Sequence, residues 1–375
     1  MPSAPWFVRK PVLRSGVSRK EKVLMSGNHA LAEAAIRAGC RFYFGYPITP
    51  QNEVAEYMAE HMPKAGGVFI QAESEIASIN MVLGAAVTGA RAMTSSSSPG
   101  ISLKQEGISF LAGQELPAVI VNMVRGGPGL GNIAGCQGDY FQATRGGGHG
   151  DYRTIVLAPS SVQELVDLMV LAFDLADKYR NPVVVLGDGM TGQMREPVVL
   201  PEPVSELPEK EWALRGAKGR KSRFSRSLIL DVRAMEEHNW KLQRKYQEIE
   251  RNELRYEEFM LEDAQLVVVA FGSSARIAKG AIKRARREGL KVGLFRPITL
   301  WPFPALRLRE LAEQVKEFLV FELNAGQMVE DVRLALGDKA EVFFYGRPGG
   351  VIPTPLEVAK TITNRYYQRI KGKKK

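Results

Sequence analysis

Four short stretches hold residue types able to do chemistry, and each follows a run that reads as a β-strand. In "FYFGYPITPQNEV" a hydrophobic run stops at Pro47 and Pro50, which bracket Thr49. Proline fixes its own backbone torsion, so the pair would hold the threonine hydroxyl at the strand end. A plain strand-to-helix turn with proline near the helix start accounts for the same residues. In "QAESEIASIN", Glu73 and Glu75 stand two residues apart after a strand, so their side chains diverge. One can point into a crevice and the other to solvent, although an acidic first helical turn is also ordinary capping chemistry. "TSSSSPGISL", with Ser98 and Gly100, is a hydroxyl-rich turn entering a helix. Its N–H groups can receive an anion or the polar edge of a ligand, or the serines can simply cap the helix. In "VRGGPGLG", Arg125 follows a strand beside backbone kept bare by glycines.

Other stretches imitate known sites. "GLGNIA" (129–134) matches a dinucleotide fingerprint after the strand "AVIVNMV", but proline and further glycines fall where the phosphate-binding helix should begin. "LGDGM" begins like the magnesium motif of thiamine-diphosphate enzymes, which needs an asparagine some thirty residues later, and none lies between Asn181 and Asn239. Asp188 alone is little company for a magnesium ion, which needs several oxygens in near-octahedral array. "RGGGHGDY" offers His149 and Asp151 without a third metal ligand. No metal site is therefore expected in this chain.

The elements that must position these residues alternate along the chain. Between about Val23 and Leu200, strand-like runs such as "RFYFGYP", "ARAMTSS", "AVIVNMV" and "PVVVLGDG" alternate with helical segments such as "HALAEAAIRAG" and "SVQELVDLMVLAFDLADKY". That alternation predicts a parallel sheet covered on both faces. In such sheets ligands gather beyond the carboxyl ends of the strands, where Thr49, Glu75, Ser98 and Arg125 all fall. A polar, proline-bearing stretch follows, then a charged segment in which Met235, Leu242, Tyr246, Ile249, Tyr256 and Met260 recur at helical spacing. "QLVVVAFGSSARIAKGAIKRARREGLKVGLFRP" opens a second βαβ unit. The organisation expected is a basic extension (1–22), a first domain (23–200), a helical linker (201–263) and a second domain (264–375). The fold class is α/β, with two doubly wound domains.

Composition narrows the setting. The 375 residues, 45% hydrophobic and 25% charged, are those of an ordinary globular protein of about two domains. No apolar run approaches the ~20 residues that span a bilayer. Two distant cysteines, Cys40 and Cys136, build no disulfide framework and no C-x-x-C, which favours a reducing cytoplasm and leaves iron–sulfur clusters to other chains. The net charge of +10 is concentrated at the ends, with Arg9, Lys10, Arg14, Arg19, Lys20 and Lys22 against Glu21 at one and "RIKGKKK" at the other. No aromatic-interleaved basic motif accompanies them, so solvated tails rather than nucleic-acid contacts are expected. The N-terminal segment has no apolar core of a secretory signal and bears a faint likeness to a transit peptide.

Taken together, "YPITP", "AESEIAS", "TSSSSPG" with "QEGISFLAG", "RGGPGLG", "GGGHGDYRTIVLAP" and "FRPITLWPFP" resemble, in order, the α subunits of 2-oxoacid:ferredoxin oxidoreductases. The resemblance runs from about Gly27 to the end. It implies a thiamine-diphosphate pyrimidine-binding domain and a transketolase C-terminal-like domain. It also implies an active site shared with a β subunit that holds the diphosphate and Mg2+, a γ subunit, and a ferredoxin-like δ subunit with [4Fe–4S] clusters. Coenzyme A takes the acyl group after decarboxylation, and ferredoxin takes the electrons. The resemblance gives Glu75 the role of carboxylate at the cofactor's N1′, with Glu73 as runner-up. Thr49 and Arg125 would meet the substrate, and Tyr46, Pro47, Ser98 and Gly100 would line the cofactor. "RGGPGLGNIA" is more apolar than the hydroxyl-bearing counterpart in 2-oxoglutarate enzymes and resembles the branched-chain type acting on 3-methyl-2-oxobutanoate. 2-Oxoglutarate is the alternative substrate. A nicotinamide dehydrogenase and a non-catalytic scaffold subunit are the alternatives of other classes.

Overall fold

The computed structural model describes residues 21–372, with side chains to residue 368; nearly all of the basic extension and the end of the basic C-terminal run lie outside them. The chain begins with β1 (Val23–Ser26), α1 (Gly27–Arg37), β2 (Phe42–Gly45), α2 (Asn52–His61), β3 (Val68–Gln71) and α3 (Glu75–Val87). It continues through β4 (Ala92–Ser96), α4 (Ser98–Gly113), β5 (Ala118–Val124), α5 (Tyr140–Arg145), β6 (Ile155–Leu157) and α6 (Val162–Tyr179). Next come β7 (Pro182–Asp188), α7 (Gly189–Gln193), β8 (Arg195–Val198) and the long α8 (Val232–Asn252). The remainder is β9 (Tyr256–Phe259), β10 (Leu266–Val269), α9 (Gly272–Arg287), β11 (Val292–Pro297) and β12 (Thr299–Trp301). It closes with α10 (Ala305–Gln314), β13 (Glu317–Glu322), α11 (Met328–Leu336), β14 (Glu341–Gly346) and α12 (Pro355–Gly372).

Two sheets dominate. The first has seven strands in the order β12-β6-β7-β5-β4-β2-β3, parallel except for β12. Its central strands β5 and β7 are buried along their whole length, paired from Ala118↔Pro182 to Val124↔Asp188. They read as unbroken apolar runs because helices cover both faces. One face packs against α3 and α4 through Ile79, Val82, Ile101 and Ile108. The other packs against α1, α2 and α6 through Leu31, Val54, Met58 and Phe173. The second sheet runs β14-β13-β10-β11-β9, parallel except for β9.

Helix starts follow local chemistry. Ser26, Ser74 and Ser161 are extended residues whose hydroxyls accept the N–H of His29, Ala77 and Glu164, closing the open ends of α1, α3 and α6.

Three features differ from the sequence reading. The apolar stripe of the charged segment is one helix only as far as Asn252; Tyr256 belongs to β9 and Met260 follows it. Leu242, Tyr246 and Ile249 are its buried face, packed on the first domain, whereas Met235 is 37% exposed. β9 lies within the span read as linker yet forms an edge of the second sheet, while β12, from the second-domain span, closes an edge of the first. The proline-bearing stretch before α8 is fastened to the first domain, with Val204 N donating to Arg37 O (2.7 Å), Leu214 N to Val87 O (3.0 Å), and Lys210 paired with Asp177.

Candidate active site

Strand order creates the crevice. From β2 the chain goes outward to β3, then crosses back to β4 on the other side, so the sheet's winding reverses beside β2. The loops after β2, β3, β4 and β5 open at that reversal, which is where α/β sheets bind ligands. The loops after β2 and β5 carry Thr49 and Arg125, and those after β3 and β4 lead into the first turns of α3 and α4, with Glu75 and with Ser98 and Gly100.

Glu75 is the first residue of α3 and 7% exposed, whereas Glu73 is exposed. The structure thus separates the two carboxylates as their spacing suggested. The open N–H groups at the helix start favour a negative charge there. A Cβ on Gly100 would lie 2.6 Å from Glu75 Oε1 and 2.1 Å from Ser96 Oγ, so only glycine leaves this cradle open. Around it, Ser96 Oγ, Ser97 Oγ, Gln51 Nε2 and Arg125 Nε are buried without hydrogen-bond partners. Buried polar atoms of this kind are normally paired, so a cluster of them at one crevice marks room for a polar ligand. A carboxylate beside hydroxyls and an open glycine suits the edge of an aminopyrimidine ring.

Arg125 is 7% exposed and ties the crevice together. Its Nη1 donates to Thr49 O (3.0 Å) and its Nη2 to Leu130 O (2.9 Å). The Thr49 hydroxyl accepts from Asn52 Nδ2 at 3.4 Å. Below, Arg125 N donates to Ser98 Oγ (3.1 Å), whose own proton goes to Asp139 Oδ2 (2.7 Å), and Asn122 Nδ2 donates to the same oxygen (2.8 Å). Burial raises the pKa of Asp139, against the pull of Ser98 and Asn122. The Ser98 hydroxyl is therefore part of a knot joining the ends of β4 and β5. Tyr46 and Pro47 are exposed at the mouth.

The residues after Arg125 do not open a helix, as a dinucleotide site requires. They fold back, with Gly126 N donating to Ala134 O (3.0 Å) and Arg125 bridging Gly135. Gly131 adopts φ 61°, and a Cβ there would lie 1.7 Å from Gly126 O. Leu130 and Ile133 stand 82% and 62% exposed on this loop. His149 and Asp151 are exposed in the loop after α5. Asp188 turns inward, accepting from Thr191 N (2.9 Å), Thr191 Oγ1 (3.0 Å) and Ser273 Oγ of the second domain. Among the described residues, no group of three or more His, Cys, Asp or Glu is placed to hold a metal ion.

Sequence reasoning passed over Lys104, Gln51, Asn122 and Asp139. Asp139 had the one available signal, a glycine-rich turn just before a helix. Lys104 had none, because a lysine within a helix ordinarily faces water.

Comparison with known proteins fits this geometry. A split-gene transketolase structure aligns over 91% of this chain at a TM-score of 0.57 and 14% identity, a likeness of fold alone. The family model described as pyruvate flavodoxin/ferredoxin oxidoreductase, thiamine-diphosphate-binding, matches residues 33–260, and pyruvate:ferredoxin oxidoreductase core domain II matches 264–358. The fold and the family models matched are thus those of a thiamine-diphosphate oxidoreductase subunit. The chain belongs to the 2-oxoacid:ferredoxin oxidoreductase family, as an α-type subunit. It is 55% identical over 328 residues to the ketoisovalerate oxidoreductase subunit VorB of Methanothermobacter thermautotrophicus, covering 87% of this chain and 93% of that one. It is 39% identical over 370 residues to the 2-oxoglutarate synthase subunit KorA of the same organism, covering 91% and 98%. The solved 2-oxoglutarate:ferredoxin oxidoreductase from Magnetococcus marinus, with 2-oxoglutarate, coenzyme A and succinyl-CoA bound, aligns at a TM-score of 0.85 and 30% identity. That match covers 93% of this chain and 66% of the other.

Proposed function

We propose that this chain is the α subunit of a coenzyme A-acylating oxidoreductase that acts on 3-methyl-2-oxobutanoate, the ketoisovalerate named for its 55%-identical relative. The 2-oxo acid loses CO2, its acyl group passes to coenzyme A, and two electrons leave singly to ferredoxin. The observation that carries this reading is the buried Glu75 carboxylate facing the open side of Gly100 among unpartnered hydroxyls. Thiamine diphosphate, when bound, supplies the carbanion chemistry that decarboxylation needs.

This chain's share is narrower. Glu75 holds and returns a proton at the cofactor's N1′, in a crevice where a positioned carboxyl group acts as general acid and base. Ser96, Ser97, Gly100, Tyr46 and Pro47 shape the space around the ring. The Thr49 hydroxyl and the N–H groups that Arg125 keeps free orient the substrate carboxylate. The diphosphate with its Mg2+ falls to a β subunit, and the [4Fe–4S] relay to γ and δ subunits. Cys40 and Cys136, both free and buried, agree with clusters held on other chains and with a reducing cytoplasm. No helix among the described residues is long and apolar enough to cross a membrane.

Leu130 and Ile133 support the branched-chain substrate, since both project from the loop whose carbonyl binds Arg125. An apolar rim beside a carboxylate clamp suits an aliphatic tail and gives a second carboxylate nothing to bond.

The test uses the complex co-expressed with its partner subunits. Glu75→Gln is expected to lower kcat by about 100-fold or more while assembly and thiamine diphosphate content persist. Full turnover in that variant would make the chain a scaffold. A kcat/KM that favours 2-oxoglutarate over 3-methyl-2-oxobutanoate would overturn the substrate assignment.

A further inference from the structure

The loop between β5 and α5 that carries Leu130 and Ile133 is braced at three places. At its base Arg125 bridges Gly135, and a Cβ on Gly135 would lie 2.8 Å from Met190 N, so this end sits tight against the start of α7. In its middle the Leu130 carbonyl accepts from Arg125 Nη2 (2.9 Å). The third brace comes from the second domain. Asn132 Nδ2 donates to Gly349 O (2.9 Å), in the loop between β14 and α12 and 217 residues further along the chain.

Asn132 stands between the two apolar residues, and its polar groups divide their work. Its N donates to Gly126 O (2.9 Å) and its Oδ1 accepts from Ala134 N (2.9 Å), and both bonds fold the loop on itself. Its Nδ2 is the group that reaches out of the loop. The backbone it reaches is bare. Gly349 and Gly350 adopt φ of 72° and 89°, torsions open to glycine without strain. A Cβ on Gly350 would lie 2.6 Å from Ala134 Cβ and 3.1 Å from Asn132 Oδ1. The second-domain loop therefore meets the other at backbone distance.

We propose that Asn132 is a positioning residue for substrate selection. Through Gly349 it makes the second domain hold the Leu130 and Ile133 rim at the distance a branched tail requires. The inference rests on the substrate reading given above. A loop with glycine at 126, 127, 129 and 131 has little stiffness of its own, so its braces decide where its apolar side chains stand. Discrimination between aliphatic tails that differ by a methyl group depends on that placement.

The test compares 3-methyl-2-oxobutanoate with pyruvate, which lacks its two methyl groups and carries the same charge, in the complex co-expressed with its partner subunits. Asn132→Asp keeps the acceptor for Ala134 N and loses the donor to Gly349 O. Asn132→Ala loses both bonds. Each variant is expected to lower the ratio of kcat/KM for the branched acid to that for pyruvate by about three- to ten-fold, the range of one lost hydrogen bond. The change should fall on KM for the branched acid, with kcat, assembly and thiamine diphosphate content held. An unmoved ratio in both variants would overturn the role of Asn132. A ratio that moves in Asn132→Ala alone would show that the loop braces itself, and would overturn the part given to the second domain. A natural complex that does not prefer the branched acid would overturn the substrate reading and this inference with it, and that is measured before any variant is compared.

Discussion

A guanidinium has five N–H donors in one plane, and Arg125 commits two of its nitrogens to the carbonyls of Thr49 and Leu130. It therefore both fixes the walls of the crevice and keeps donors for a ligand, its buried Nε among them. Lysine can copy the charge but not the double attachment. Charge-assisted hydrogen bonds are worth roughly 1.5–3 kcal/mol each. Arg125→Lys should accordingly lower kcat/KM by about ten- to a hundred-fold in steady-state assays of the complex. Thiamine diphosphate content should hold, because other groups face the ring. A structural arginine would instead lose assembly and cofactor together. Thr49, Glu75, Ser98 and Arg125 were all legible in the sequence because strand ends and their glycines and prolines are local signals. The knot beneath them was not, since Asn122 and Asp139 reach Ser98 from 24 and 41 residues away.

The elements matter through their ends. α3 is the platform that presents Glu75, and its first turn is closed by Ser74 Oγ accepting from Ala77 N at 3.1 Å. Removing such a cap typically costs about 1 kcal/mol. Ser74→Ala is expected to speed amide hydrogen exchange at Ala77 while the rest of α3 stays protected. It should also lower turnover, because Glu75 sits in the turn that frays. Unchanged exchange at Ala77 would mean that the turn is held by packing alone. Helices and long strands could be read from periodicity, and so could the face of α8 that buries Leu242, Tyr246 and Ile249. Two edge strands could not. β9 and β12 have four and three residues, too few to show a period, and each pairs antiparallel with a strand remote in sequence, β9 with β11 and β12 with β6.

At the scale of the whole molecule the two sheets share one core. The apolar cluster on α3 and α4 continues without a break into Val267, Phe295 and Phe318 of the second sheet and Phe271 at the start of α9. Polar groups bridge the same seam. Gln137 Nε2 donates to Phe271 O (2.9 Å) and its Oε1 accepts from Leu323 N (3.0 Å). Asp188, at the end of β7, takes Thr191 on its own side and Ser273 from the start of α9. The "GDG" aspartate thus serves as a bolt between domains. Burial raises its pKa above the ordinary 3.8, against the pull of Ser273 and Thr191. The folded chain therefore keeps this proton to higher pH than the unfolded chain does. Stability contributed in acid is lost as pH rises from the unfolded value through the folded one. Asp188→Asn removes that dependence, keeping an acceptor for Thr191 N and offering an N–H to Ser273 Oγ. The thermal stability of the variant relative to the natural protein should climb as pH rises above about 4 and level off once the natural carboxyl is ionised. A melting series across pH measures this difference directly. A flat difference would mean that the hydroxyls of Ser273 and Thr191 hold Asp188 ionised as firmly as water does, with burial fully offset.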